Sequence, residues 1–386
     1  MTEIAYDLVV IGLGAVGSWA MDHAARAGLR CVGLEQYGLG HARGSSHGHS
    51  RVTRQAYFEH PSYVPLIRRS TEFIQALERE LGRCLLEPCG TLLLGPETSE
   101  VLRRSQDAAR AHGVEVQALD PTQLARRFPT FSPPPNAVGL LEPGGGFIRL
   151  EASLAAVRDR ARQHGAELRG STPVRGLEPR GVGVGVRLEH ETLDASAVLI
   201  CAGPWASRML PALGPRLRVT RQVQGWIRSR VGAGLRSDEG MPCWLMDRGG
   251  APPTYGIPTD PQRVEQGAKV AIHGGDDEAD PDAVQRAVSA AERAALEQVA
   301  RQLFSRQDVY LHDATVCMYT NTADEHMIVD RTPEVDAVTV VAGLSGHGFK
   351  MAPALALAAV RLAVEGHRTP DANFLRLTRR PTFADA

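Results

Sequence analysis

The chain has 386 residues, 43% of them hydrophobic, and a formal net charge of −1. That length suggests two or three domains around a sizeable core. The balanced charge excludes a general pull toward nucleic acid or an anionic membrane, and no apolar run reaches the ~18 residues of a membrane span.

The N-terminus carries Glu3 and Asp7 and no basic region, so it reads as a core strand and not as a signal peptide. Residues 8–11 form a short apolar run suited to a buried parallel strand. Gly12, Gly14 and Gly17 follow with G-x-G-x-x-G spacing. Gly12 allows a tight turn, Gly14 lets a pyrophosphate approach the backbone, and Gly17 lets the next helix pack on the strand. The helix start at Ala15 and Val16 offers N–H groups to phosphate. Glu35 lies where a carboxylate meets a ribose hydroxyl. This unit points to an ADP-containing dinucleotide and leaves open which one.

A polar, glycine-rich loop spans 38–50, and Tyr63–Leu81 reads as a helix. Residues 91–94 read as a strand and 98–113 as a charged helix. Three prolines at 133–135 punctuate the chain, and three glycines at 144–146 mark a crossover. An amphipathic helix follows over 150–165, then strands at 167–169, 182–188 and 197–201. The last of these runs into a turn at Gly203. Residues 221–316 mix β-like runs with one long helix over 281–304, rich in Ala, Glu, Arg and Gln. A strand at 337–341 leads into a second glycine loop, 343–350, and Pro353 opens the terminal helix. The positive end of that helix dipole would lie at this loop. The six cysteines, at 31, 84, 89, 201, 243 and 317, form no C-x-x-C pair. Neither a zinc site nor a thioredoxin-type motif is expected, and reduced thiols in a cytoplasmic protein fit best.

The motifs Cys317-Met318-Tyr319-Thr320 and Ser345-Gly346-His347-Gly348-Phe349-Lys350, with the loop Gly44 to Arg54, resemble the monomeric sarcosine oxidase family and its N-methyltryptophan oxidase relatives. The resemblance covers nearly the whole chain. It implies an α/β fold, with an FAD-binding Rossmann-like domain from 1–87, 145–220 and 317–386. A mostly antiparallel β-sheet substrate domain would come from 88–144 and 221–316. It implies FAD bound covalently through Cys317. Gly12, Gly14, Gly17, Glu35, Arg43, Ser45, Arg51, Val174, Gly203, Gly346, Gly348 and Lys350 would contact the cofactor.

The resemblance further implies an oxidase of secondary amino acids. Arg54 and Lys350 would grip the substrate carboxylate, a planar fork beside a point charge. Tyr255, His347 and His273 would line the substrate site, with Arg51 beside the flavin ring. Lys269 would promote the reaction with O2, giving hydrogen peroxide. The implied partners are a small amino acid with a free carboxylate and O2, with no nucleic acid and no membrane, in a monomer or weak oligomer. An FAD-dependent dehydrogenase of the same fold with another acceptor is the alternative. The serine-rich loop at 43–50, the bulky Trp244 and the polar stretch 259–267 depart from the family pattern. They leave sarcosine, larger N-methyl amino acids and cyclic imino acids all open as substrates.

Overall fold

A computed structural model describes residues 4–232, 234–275 and 277–379. The strand Tyr6–Ile11 is the pivot of the first sheet. Its Leu8, Val9 and Val10 are all fully buried, as a parallel strand between two covered faces requires. Five parallel strands run in the order Glu167–Arg169, Cys31–Leu34, Tyr6–Ile11, Thr192–Ile200 and Val338–Ala342. Ile328–Arg331 closes the far edge antiparallel. A ribbon of Gly176–Pro179 and Val184–Arg187 pairs with the first half of Thr192–Ile200. That pairing explains why the strand begins earlier than its apolar run at 197.

Leu8 and Val10 pack into the cluster under the helices Ala15–Arg26, Tyr63–Leu81, Leu150–Gln163 and Ala352–Glu365. Val9 and Ile11 face the other way, onto the ribbon side. Among the helices lies a buried ion pair. The Arg160 guanidinium forks onto Asp22 at 2.7 and 2.8 Å and also reaches Glu80. Losing one partner of such a pair costs roughly 3–5 kcal/mol, because the other charge is stranded.

The second sheet has eight strands. Their order is Val309–Asn321, Arg218–Ser229, Ala268–Ile272, Thr254–Ile257, Cys243–Met246, Thr91–Gly95, Val138–Glu142 and Gln117–Leu119. Every neighbouring pair is antiparallel except Thr91–Gly95 with Cys243–Met246. Trp244, Phe131 and Phe304 pack edge to face or tilted beneath it. The long helix expected over 281–304 begins only at Ala290. Ser289 accepts the Glu292 N–H while Glu292 reaches back to the Ser289 N–H, and this capping box fixes the start.

A third, small sheet pairs Ser50–Thr53 with Gly146–Arg149, and the latter with Leu86–Glu87. The glycines at 144–146 turn the chain from the second sheet into this one. Residues 1–3 and 380–386, the outer ends of the expected cofactor domain, lie outside the described residues. No helix among the described residues is long and apolar enough to cross a membrane.

Candidate active site

The glycine turn is shaped by close backbone contacts. Gly12 has φ +92°, and a Cβ there would sit 2.5 Å from the Cys201 carbonyl oxygen. A Cβ on Gly17 would sit 1.8 Å from the Gly12 oxygen. Glycine is therefore required at both places on steric grounds. Gly14 is different: its nearest obstacle is the Ser46 hydroxyl at 3.2 Å. That hydroxyl accepts the Ala15 N–H at 3.0 Å, so one donor expected to be free for phosphate is already used inside the protein.

Glu35 stands at the end of the second strand. One oxygen accepts the Leu13 N–H at 2.9 Å, and the other takes the Tyr37 N–H and lies 3.2 Å from His41. Burial opposes its charge, but His41 and the two backbone donors hold its pKa below the usual carboxylate range. The oxygen that takes the Leu13 N–H keeps a lone pair for a further donor.

A cavity of about 630 Å³ runs from this turn across the first sheet. Gly12, Gly14, Glu35, Ser45 and Arg51 line it, as do Val174, Gly203, Cys317, Gly346 and Gly348. Gly17, Arg43 and Lys350 do not, and Lys350 lines only the smaller cavity described below. Gly17 serves helix packing, and Arg43 lies exposed over the Tyr37 ring, 4.7 Å from its centre. The dimensions, the bare glycine backbone and the anchored carboxylate suit an extended dinucleotide such as FAD. The terminal helix already uses one of its first N–H groups inside the protein. A 3-10 turn, Phe349–Met351, precedes it, and Ser70 takes the Ala354 N–H.

At the far end, Cys317, Tyr319, Gly346, Phe349 and Arg51 also line a second, smaller cavity of about 100 Å³. Arg51 itself binds protein: it donates to the carbonyls of Ser45, His47 and Ser50 and so braces the loop. The Cys317 thiol is buried and makes only long contacts, 3.9 Å to Ser45 O and 3.8 Å to Met318 O.

The second cavity brings together Arg54, Lys350, His347, His273, Tyr255 and Lys269. Sequence reasoning missed its central group, Glu59. Arg54 Nη2 donates to both Glu59 oxygens at 2.8 and 2.9 Å, Nη1 donates to Ala56 O, and the guanidinium lies over the rings of Tyr57 and Phe58. Burial disfavours the Glu59 charge, yet Arg54, His347 and Lys350 together keep its pKa low. Its position five residues after Arg54 was the available signal.

Lys350 Nζ donates to His347 O at 3.0 Å and to Tyr57 Oη at 3.3 Å. Burial, then the nearby Arg54 charge, pushes its pKa down to about 7. The ring of His347 is fixed in direction. Its Nε2 faces the Glu325 carbonyl at 3.0 Å, and a carbonyl only accepts, so Nε2 carries the proton. Nδ1 then accepts from Tyr57 Oη at 2.8 Å. Burial pushes this histidine down to about 4, so it stays neutral near pH 7. The chain Lys350, Tyr57, His347, Glu325 donates in one direction throughout.

Lys269 sits on a central strand of the second sheet, 2% exposed. Its Nζ donates to the carbonyls of Gly48 and Ser50 and lies 5.6 Å from the centre of the Trp226 ring. Burial and the Arg51 charge lower its pKa well below the usual lysine value. Gln224, also buried in this wall, has an amide nitrogen without a protein partner. No motif marked it. His273 Nδ1 faces Tyr319 Oη at 3.3 Å, with Tyr255 edge-on to its ring.

Comparison with known proteins places this geometry. The family described as FAD dependent oxidoreductase (DAO) matches residues 7–362. Monomeric sarcosine oxidase from Streptomyces avermitilis is 38% identical over 363 residues, 94% of each chain. N-methyl-L-tryptophan oxidase from Yersinia pestis is 32% identical over 383 residues, 97% of this chain and 99% of the other. Among solved structures, NikD, an unusual amino acid oxidase essential for nikkomycin biosynthesis, superposes with a TM-score of 0.84 at 23% identity, over 97% of this chain and 98% of NikD. L-proline dehydrogenase from P. horikoshii gives 0.81 at 19% identity over 96% of each chain, a likeness of fold. The chain belongs to the FAD-dependent oxidoreductase family and, within it, to the group of monomeric sarcosine oxidase and N-methyl-L-tryptophan oxidase.

Proposed function

We propose that this chain oxidises secondary amino acids of the N-methyl or cyclic class at their CH–NH bond, with O2 as final acceptor and hydrogen peroxide as co-product. The observation that carries this is the charge balance of the smaller cavity. Four basic side chains, Arg51, Arg54, Lys269 and Lys350, line it against a single carboxylate, Glu59. Arg51 and Lys269 are turned onto backbone carbonyls, so at Glu59 itself Arg54 and Lys350 stand against one anion, and an amino acid with a neutral amine and an ionised carboxylate supplies the second. The names of the two curated relatives point to the same substrate class.

Bound in the larger cavity, FAD supplies the two-electron acceptor chemistry that no side chain provides. The chain's residues bind and orient. The substrate carboxylate takes Arg54 Nη2 from Glu59 and receives a second donor from Lys350 Nζ. His273, Tyr255 and Tyr319 wall the space beside it. Neutral His347 keeps Tyr57 Oη turned to accept from Lys350, which aims the ammonium. Lys269 Nζ is a fixed donor buried beside Arg51. Negative charge developing on oxygen there raises its proton affinity, so the ammonium stabilises that charge. Cys317, at the wall shared by both cavities and without a short hydrogen bond, is proposed as the covalent anchor of FAD. The pieces 1–87, 145–220 and 317–386 are proposed as the cofactor domain, and 88–144 with 221–316 as the substrate domain.

The test is anaerobic mixing of the yellow holoenzyme with sarcosine, N-methyl-L-tryptophan, pipecolate and proline. At least one should abolish the visible absorbance, and N-methylated amines lacking a carboxylate should not. Retained colour with all four would sink the proposal. Acid precipitation checks Cys317: colour should stay with the pellet and be released to the supernatant in Cys317→Ser.

A further inference from the structure

Two cysteines outside the machinery described above lie in contact. The sulfurs of Cys89 and Cys243 are 4.0 Å apart. The two segments are already tied beside them, since the Cys243 N–H donates to Gly90 O at 3.0 Å. Cys243 is fully buried, whereas Cys89 is half-buried. Cys89 is thus the more accessible of the two to a small reagent, and Cys243 is the more shielded.

Their place in the sheet matters. Cys243 is in register with Thr91 on one side. On the other side Trp244 pairs with Gly256, which sets Cys243 beside Ile257, and the two pack together. Ile257 is in register with Lys269. Thr91, Cys243, Ile257 and Lys269 therefore form one row across four strands. With about 4.8 Å between neighbouring strands, Cys243 lies roughly 10 Å from Lys269, backbone to backbone. Its three row-mates all line the smaller cavity.

We infer that Cys89 and Cys243 are a redox-active dithiol that hydrogen peroxide formed in the adjoining cavity oxidises to an intramolecular disulfide. The inference rests on the proposed oxidase activity for its oxidant. Burial holds the Cys243 thiol protonated, so the first attack belongs to Cys89. The Cys89 sulfur attacks one peroxide oxygen, the O–O bond breaks, and the other oxygen leaves as water. Cys89 is now a sulfenic acid. The Cys243 sulfur attacks it and displaces the hydroxyl group, which leaves as a second water with the Cys243 proton. Two thiols lose two electrons in all, and one peroxide gains them.

The test uses the holoenzyme, reduced and freed of reductant. Hydrogen peroxide is added without substrate, free thiols are then alkylated, and peptides are mapped by mass. The expected result is a linked pair of peptides carrying Cys89 and Cys243, lost on treatment with dithiothreitol and absent from Cys89→Ser. Exposed Cys84 supplies the internal control, and Cys84→Ser should still form the link. During aerobic turnover the same link should accumulate, and added catalase should suppress it. Oxidation of Cys84 alone, or sulfinic acid at Cys89 with Cys243 still free, would overturn the inference. So would a link made by added peroxide that fails to form while O2 uptake is measured. A peroxide-made link with no O2 uptake for any amine would instead overturn the oxidase activity.

Discussion

The two ends of the cofactor cavity are built by different means. At the glycine turn the protein uses backbone: positions 12 and 17 tolerate nothing larger than hydrogen, and the glycines themselves lie within a few residues of one another. At the smaller cavity it uses charge. Arg54, Glu59, Lys269 and Lys350 come from segments up to roughly 300 residues apart and meet here, the three cations buried and Glu59 nearly so. Steric requirements are local and leave a spacing in the chain. Electrostatic ones are a property of the assembled site: Glu59 keeps its charge because Arg54 and Lys350 face it.

That contrast can be broken by substitution. The largest effect is expected at Gly17→Ala. Its Cβ would meet a backbone oxygen that cannot retreat, so we expect a loss of roughly 3 kcal/mol or more and little bound FAD, read by thermal melting and absorbance. Gly14→Ala, which faces only Ser46, should keep both far better. Next is Arg54→Ala, which strands buried Glu59. A cost of about 3–5 kcal/mol is expected, most of it recovered in Arg54→Ala with Glu59→Gln. If the double variant were no more stable than the single one, the two would not be the coupled pair drawn above.

Lys269→Met separates stability from chemistry. Removing a buried cation with two carbonyls and the Trp226 ring for partners, and no carboxylate, should leave the melting temperature unchanged or raised. The rate of O2 uptake should fall by roughly 10²–10³, in the range seen for loss of one charge-stabilising donor. An unchanged rate would leave this lysine with a structural role only.

The pH dependence of Lys350 gives a subtler test. Its pKa in the folded protein is about 7, below the unfolded lysine value. Between those values the unfolded chain binds more protons, so stability rises with pH across that window. The penalty for holding the charged form is complete below pH 7. The stability gap between Lys350→Met and the parent should therefore shrink as pH rises above 7. Affinity for a carboxylate inhibitor without an amine should fall by roughly tenfold per pH unit in the same range, and the slope should vanish in the variant. The smallest effect is Ser46→Ala, the loss of one acceptor at a helix start, worth about 1 kcal/mol.

Legibility in the chain follows the same division. The strand ending at Ile11, the three glycines and Glu35 could be read because each leaves a residue type at a fixed offset. The helix at 290–303 was read too long, since good helix formers precede it and only the Ser289–Glu292 cap says where it begins. Arg54 and Lys350 were found through motifs, whereas Glu59 was not, although it decides how Arg54 is used. Gln224 and Trp226 lie on a strand whose facing partners, near 270 and 315, are fixed only by the folded sheet.

The Glu59–Arg54 pair has one more consequence. A tethered carboxylate competes for the guanidinium at a concentration no solute can match. An incoming substrate exchanges one anion for another, so the arginine is never bare and no empty, unsolvated cation has to be maintained. Apparent affinity is lowered by the fraction of time the tether holds on. Ligands are thereby ranked by how well they outdo a glutamate, which weak or poorly placed anions fail to do, and loosening the tether should tighten binding at the expense of discrimination.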